Sequence, residues 1–126
     1  DAAHLIVTRG EHSYEVGPFV IPGVTPCYQC SQHARAAADP FHLAHLRELE
    51  SWPLAPLALL AHFAAAQRIG QLVMDFASGT LTESQCAQVA TIGEDGSVRV
   101  EEVEPATECV CGIDGLASSL TPLRRR

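Results

Sequence analysis

The chain has 126 residues, of which 47% are hydrophobic and 18% charged, a balance typical of one globular domain and not of a disordered chain. Its formal net charge of −7 argues against general nucleic-acid binding, since phosphate neutralisation requires a clustered basic surface. All eight basic residues are arginine, which excludes a Schiff-base lysine and a phosphate-binding lysine.

We interpret residues 1–126 as a single domain that is part of a larger protein, because the chain begins without methionine and almost at once with a strand-like run. Residues 113–126, which end in three arginines, are predicted to form a flexible tail. No secretory signal is visible, and the longest apolar run, residues 52–66, is shorter than the roughly 18 to 20 residues of a membrane span. These features predict a cytoplasmic protein, in which a stable disulfide framework is not expected.

The first two predicted elements are strands. Residues 4–8, HLIVT, are β-branched and short, and residues 14–21 form a second extended run that ends at Pro22 and Gly23. Pro18 lies inside the second run and cannot donate a ladder hydrogen bond, so we expect an edge strand or a kinked segment there.

Three helices are predicted next, over residues 28–38, 41–50 and 57–77. Asp39-Pro40 stops the first helix, because the residue before a proline disfavours helical geometry, and Gly79 lies where the cap of the third helix belongs. The third helix is predicted to be buried through apolar residues at spacings of three and four, namely Leu57, Leu60, Ala61, Ala64, Ile69, Leu72, Val73 and Phe76.

A β-hairpin is predicted after this helix, with arms at residues 85–92 and 97–103 and a turn at GEDG, residues 93–96. The second arm alternates apolar and charged residues, which predicts one buried and one wet face. The elements together predict an α/β fold with one long buried helix and a hairpin.

Two close cysteine pairs carry the clearest chemical signal. Cys27 and Cys30 are spaced C-x-x-C, and Cys109 and Cys111 are spaced C-x-C. Four thiolates in two pairs suit tetrahedral zinc, in which each short segment folds around the ion. A separation of about 80 residues adds little to the cost of loop closure. We therefore predict a structural zinc site that staples the helical region to the hairpin.

Other interpretations of the cysteines remain open at this point. Cys27 and Cys30 could form a thioredoxin-like redox pair, although this leaves the second pair unexplained. Haem attachment fails because Ser31 stands where a histidine is needed. His33 could replace a cysteine ligand, but a surface position on a short helix is expected. Cys86 is expected to be a small buried residue in the hairpin.

No catalytic constellation is visible in the sequence. There is no G-x-S-x-G, no H-E-x-x-H and no glycine-rich phosphate loop, and no nucleophile can be paired with a base. Four thiolate ligands would also leave the metal no open position for water or substrate.

The segment VGPFVIPGVTPCYQC, residues 16–30, joined to ECVCG, residues 108–112, resembles the C-terminal half of ThiF-like proteins, the superfamily of ubiquitin-type activating enzymes. In that family a strand leads through Gly-Pro and Pro-Gly steps to a zinc C-x-x-C. A crossover loop, a long alanine-rich helix, strands and a final cysteine pair follow. The order is the same here over nearly the whole chain. The resemblance implies a C-terminal ThiF-like portion whose zinc ligands are Cys27, Cys30, Cys109 and Cys111.

Within the superfamily, the chain is similar to the ThiF-like partner proteins of azole and azoline peptide biosynthesis. Those proteins carry a VGPlvvPGrtpClrC-type segment and an arginine before an Asp-Pro, as in CSQHARAAADPF, residues 30–41. The resemblance implies a non-catalytic scaffold that presents a precursor peptide, as in bacteriocin biosynthesis, to a YcaO-type partner. That partner performs ATP-dependent cyclodehydration. A homodimer is also implied.

Two other functions stay open. The parent could be an adenylating enzyme that activates the C-terminus of a ubiquitin-like or sulfur-carrier protein, in which case its nucleotide loop and ATP ligands would lie upstream. Alternatively, the chain could be a stand-alone zinc-stapled interaction domain. Adenylation cannot be carried over to any residue of this chain. Whether the parent is an adenylyltransferase or a cyclodehydratase component therefore stays open.

Overall fold

The computed structural model describes residues 2–106 together with Cys109 and Cys111. The predicted tail, residues 113–126, lies outside the described residues. The described elements, in chain order, are β1 (His4–Arg9), β2 (Ser13–Val20), α1 (Tyr28–Ala38), α2 (His42–Ser51), α3 (Leu59–Ala77), α4 (Glu83–Cys86), β3 (Gln88–Gly93) and β4 (Val98–Glu102).

The strands form one sheet in the order β1-β2-β3-β4, and every neighbouring pair is antiparallel. The β1–β2 and β3–β4 pairs are hairpins, whereas the connection from β2 to β3 carries all four helices. The predicted mixture of helices and strands is confirmed. The hairpin turn is also confirmed at Gly93–Gly96, where Gly96 has a φ of +81° and the Gly96 N–H donates to the Gly93 carbonyl.

Of the two alternatives expected for the strand that contains Pro18, the edge strand is wrong, whereas an irregularity in the strand is observed. β2 lies inside the sheet and pairs with β1 on one side and β3 on the other. Pro18 is tolerated because the described pairing with β3 ends at Val16, and the register with β1 shifts between Leu5 and Val7, opposite the proline. The missing N–H therefore falls where the ladder is already interrupted.

Helix α3 packs against β2 and β3 and forms the larger core. Ala61, Ala65 and Leu72 are buried against the strand residues Val16 and Ile92. The prediction of a helix buried on all its apolar residues is wrong for Leu60, Val73 and Phe76, which are exposed. Only one side of α3 meets the sheet, and within the described residues no second layer covers its outer side.

The segment before β3 is also different from the prediction. Residues 83–86 form the short helix α4 instead of the start of a strand, because Thr82 and Gln85 make a capping box in which each side chain bonds the other residue's backbone N–H. Cys86 is buried as expected, but it lies on this helix and not in the hairpin.

The second arm of the hairpin, β4, has no buried residue, so the prediction of one buried and one wet face is wrong for it. Its valines point to the side of the sheet that carries α3, but α3 packs mainly over β2 and β3 and leaves the valines exposed. In residues 2–106, no helix combines the length and apolar content required to cross a membrane.

Candidate metal centre

The first cysteine pair lies at the start of α1. Cys27 is the residue that precedes the helix, and Cys30 lies in its first turn, where its N–H donates to the Cys27 carbonyl at 3.1 Å. The preceding loop is held by the buried hydroxyl of Thr25, which accepts from the Ile21 N–H at 2.9 Å and donates to the Phe19 carbonyl at 3.1 Å. These bonds fix the path of the chain between β2 and the first thiol.

The second pair follows β4. The Val103 N–H donates to the Ala87 carbonyl at 2.8 Å. This bond extends the pairing of β3 with β4 by one residue beyond the end of each strand. The chain then turns so that the Cys109 N–H donates to the Ala106 carbonyl at 3.1 Å. The hairpin thereby delivers Cys109 and Cys111 to the beginning of α1.

The four predicted ligands meet at one point. The Sγ of Cys27 lies 3.8 Å from that of Cys30 and 3.4 Å from that of Cys109, and the Sγ atoms of Cys30 and Cys111 are 3.5 Å apart. All four sulfur atoms lie within 4.8 Å of one another, and all five cysteines of the chain are free thiols. The cluster can hold a metal ion.

The environment of the cluster disfavours a thiolate that has no cation beside it. Cys30 and Cys109 are buried beside Val89 and Val103 in a second, smaller core, whereas Cys27 and Cys111 are half-buried. The pKa of the Cys109 thiol is raised to about 12, chiefly by burial and also by hydrogen bonds with the neighbouring thiols, against a lowering by a backbone hydrogen bond. Thiolates at this position therefore require a positive charge beside them.

The redox interpretation of the first pair is only partly met. Its C-x-x-C does open a helix, as a thioredoxin-like dithiol requires. The approach of Cys109 and Cys111 to the same two sulfur atoms is a feature that this interpretation does not explain.

The remaining chemically active residues stay outside the cluster. His33 is exposed on α1, as predicted, and is not among the clustered ligands. Cys86 lies in the larger core, where burial raises the pKa of its thiol, as does the nearby Glu83 carboxylate. His62 bonds the Tyr14 hydroxyl at 3.0 Å and the Leu57 carbonyl at 3.1 Å, which gives it a structural role.

Sequence reasoning missed a polar cleft of about 740 Å³ between α1, α2 and the sheet. Inside it, Arg35 Nη1 lies 2.6 Å from Glu15 Oε1, and each side chain is about a quarter exposed. Burial raises the pKa of the nearby Tyr28 hydroxyl, the Glu15 carboxylate raises it too, and Arg35 lowers it. The two ion-paired residues lie 20 positions apart on a strand and a helix, so no local motif could reveal the pair.

Thr91 and Arg99 line the cleft from the sheet. Thr91 has the same strand parity as Val89, which packs against the cysteine cluster, so the cleft and the cluster share one face of the sheet.

No family model, curated protein or solved structure matches this chain.

Proposed function

We propose that the metal is zinc and that its role is structural. A tetrahedral zinc ion with Zn–S bonds of about 2.3 Å has sulfur–sulfur edges of about 3.8 Å. The three described sulfur–sulfur contacts of 3.4, 3.5 and 3.8 Å approach this edge length. Soft thiolates select zinc over magnesium or calcium, and four of them complete its usual coordination number. The ion would thus fasten the start of α1 to the segment after β4.

We further propose that the chain is the zinc-stapled part of a scaffold that presents a precursor peptide to a YcaO-type enzyme in a peptide heterocyclase complex. The observation that carries this proposal is the meeting of a C-x-x-C after the Pro-Gly loop with a C-x-C after the hairpin. This combination is the most specific part of the resemblance to the ThiF-like partner proteins. A cytoplasmic, homodimeric protein belongs to the same proposal.

A scaffold role, and not a catalytic one, is favoured by the chemistry of the cluster. Four thiolates leave zinc no open site for water or substrate, so the ion would contribute folding free energy. ATP would then be used by the YcaO-type partner. The adenylating enzyme remains the competing proposal, and the two differ in whether the parent protein itself activates a carboxylate with ATP.

The zinc assignment is tested by elemental analysis of the purified chain and of two alanine variants. We expect about one zinc per chain in the unmodified protein, and a loss of most of it in Cys109→Ala, which removes a ligand from the centre of the cluster. Cys86→Ala is the matched control, because it also removes a buried thiol but lies in the other core. Cobalt substitution provides a second readout, since sulfur-to-metal charge-transfer absorption should weaken in Cys109→Ala alone. Metal-free protein with a Cys27–Cys30 disulfide would contradict the assignment.

The scaffold proposal is tested in the parent protein, reconstituted with a YcaO-type enzyme and a precursor peptide. We expect Cys109→Ala to abolish the loss of one water per ring that mass spectrometry detects, while Cys86→Ala retains it. Unchanged processing by Cys109→Ala that has lost its zinc would exclude a necessary role for this region. Carboxylate-dependent exchange of pyrophosphate into ATP by the parent alone would instead support the adenylating enzyme.

A further inference from the structure

Strand β4 presents a free edge. It pairs with β3 through residues 98–102, and in the described part of the chain no strand pairs with its other side. All its residues are exposed, including Val98 at 49% and Val100 at 44%. Exposed edges with unpaired backbone groups are templates for pairing with another strand, and natural proteins usually protect them.

The hydrogen bonds at the two ends of β4 show which backbone groups face outward. The Ser97 carbonyl accepts from the Gly93 N–H at 2.9 Å, and the Val103 N–H donates to the Ala87 carbonyl at 2.8 Å. Backbone groups alternate between the two sides of an antiparallel strand, so the odd-numbered residues turn toward β3. Val98, Val100 and Glu102 therefore turn their N–H and C=O groups to the free edge.

We propose that this edge pairs antiparallel with the β4 of a second copy of the chain, about a two-fold axis at Val100. In this register Val100 exchanges both backbone hydrogen bonds with the partner's Val100, and Val98 does so with the partner's Glu102. Every outward-facing backbone group of β4 gains a partner. The two sheets become one continuous antiparallel sheet.

Charge selects this register over its neighbours. With the axis at Val100, Arg99 lies opposite the partner's Glu101, and Glu101 lies opposite the partner's Arg99. These are non-hydrogen-bonded pairs, in which side chains approach most closely. Moving the axis by one residue to Arg99 would set two arginines against each other, and moving it to Glu101 would set two glutamates against each other. The strand is thus self-complementary in one register and self-repulsive in both adjacent ones.

The apolar side of the strand fits the same partner. Val98 and Val100 pair with Ile92 and Ala90, which are fully buried under α3, so the two valines point to the α3 side of the sheet. At the start of α3, Leu60 lies close to the hairpin turn: a Cβ at Gly96 would lie 3.5 Å from the Leu60 Cβ. In the proposed register Val100 packs beside the partner's Val100, and Val98 lies diagonal to it, which reduces the exposed apolar area that β4 presents.

The interface deepens the homodimer that the proposed function includes by placing it at β4, and its formation depends on neither zinc nor a peptide substrate. It is tested by sedimentation velocity over a range of concentrations on the zinc-loaded chain. We expect the unmodified chain to dimerise, and Arg99→Glu or Glu101→Arg alone to raise the dimer dissociation constant about tenfold or more, since each replaces two attractive cross-strand pairs by repulsive ones. Both side chains are well exposed, so the fold should be retained.

Mixing the two variants provides the decisive comparison. Arg99→Glu and Glu101→Arg chains place glutamates opposite arginines only when they pair with each other, so the mixture should form a heterodimer that neither forms alone. The double variant Arg99→Glu/Glu101→Arg should dimerise again for the same reason. Failure of either rescue, or a dimer unaffected by the single variants, would overturn the proposed interface.

A backbone variant tests the edge without changing charge. Val100→Pro removes an outward-facing N–H but none of the bonds between β3 and β4, and should give a folded monomer, whereas Val100→Thr should still dimerise. An unmodified chain that is monomeric up to its solubility limit would contradict the proposal. In that case, protected amides at Val98, Val100 and Glu102 would assign the edge to another segment of this chain. Zinc content measured on the same samples keeps this result separate from that of the metal site.

Discussion

Cys109 is the candidate ligand whose protonation the fold changes most clearly. Its thiol is buried among three others, and the resulting rise in its pKa to about 12 means that Cys109 keeps its proton at neutral pH when no metal is bound. A bound cation reverses this preference by stabilising the thiolates. Metal binding and proton release are therefore coupled at this site.

This coupling predicts the pH dependence of metal affinity. Because each thiol must lose a proton to bind the ion, we expect the apparent affinity to rise continuously from pH 6 to 9, with protons released on binding. The raised pKa of Cys109 means that its contribution continues up to about pH 12. Competition with a chromophoric chelator measures the affinity, and Cys86→Ala should follow the same curve. An affinity independent of pH would argue against thiolate ligands.

The metal-free protein should depend on pH in the opposite sense. A thiol with a pKa of 9.0 when unfolded and about 12 when folded stabilises the folded form fully below pH 9. This contribution is then lost as the pH rises from 9 toward 12, because the unfolded thiol ionises first. A pH titration of the metal-free chain, followed by circular dichroism, measures this loss of stability.

Within the strands, Gly17 lies at the closest approach of β2 to the chain of β3. Its φ is +114°, and a Cβ at this position would lie 2.2 Å from the Gln88 carbonyl oxygen. No side chain can move to relieve a contact with backbone. The glycine of the Gly-Pro step that precedes the cysteines is thus required by the packing of two strands.

Two glycine substitutions should consequently have opposite effects. We expect Gly17→Ala to lower the free energy of unfolding by at least about 2 kcal/mol, from backbone clash and a left-handed φ. Gly70→Ala, in the interior of α3 with open space around it, should raise the free energy of unfolding by about 0.5–1 kcal/mol. Urea unfolding of the metal-loaded chains measures both. Equal midpoints for Gly17→Ala and the unmodified chain would mean that the two backbones do not approach so closely.

Across the molecule, the apolar residues divide into two cores on opposite faces of the sheet. The larger joins α3 to β2 and β3 and contains none of the four clustered ligands, whereas the smaller is built around those ligands. Helix α2 has no buried residue and contributes to neither core. The stability of α1 should therefore depend on the metal much more than that of α3.

Metal removal tests this division. We expect chelation to accelerate amide hydrogen exchange in α1 and around Val103, while α3, β2 and the Ile92 region of β3 keep their protection, because their apolar contacts remain. Mass spectrometry of peptic fragments resolves these regions. Cys86→Ala with its metal bound serves as a control for general loosening. Loss of protection in all elements together would show one cooperative unit instead of two.

Local sequence signals predicted much of the secondary structure. The helix over residues 28–38 is observed with those bounds, since Asp39-Pro40 ends it, and Gly79 follows α3 with a φ of +72°. The four cysteines were also identified in advance, because short spacings of thiols are visible in the chain itself. These features depend on a few neighbouring residues, so the local amino-acid sequence is enough to predict them.

Other features depended on which elements became neighbours. The sequence could not show that β2 pairs on both sides despite Pro18, that the outer side of α3 and all of β4 stay exposed, or that Arg35 meets Glu15. Burial and long-range pairing are properties of contacts between distant segments, whereas periodicity reports only which residues share a face. The sequence therefore specified most of the elements and the candidate ligands, and the packing of α3 over two of the four strands determined which surfaces remain exposed.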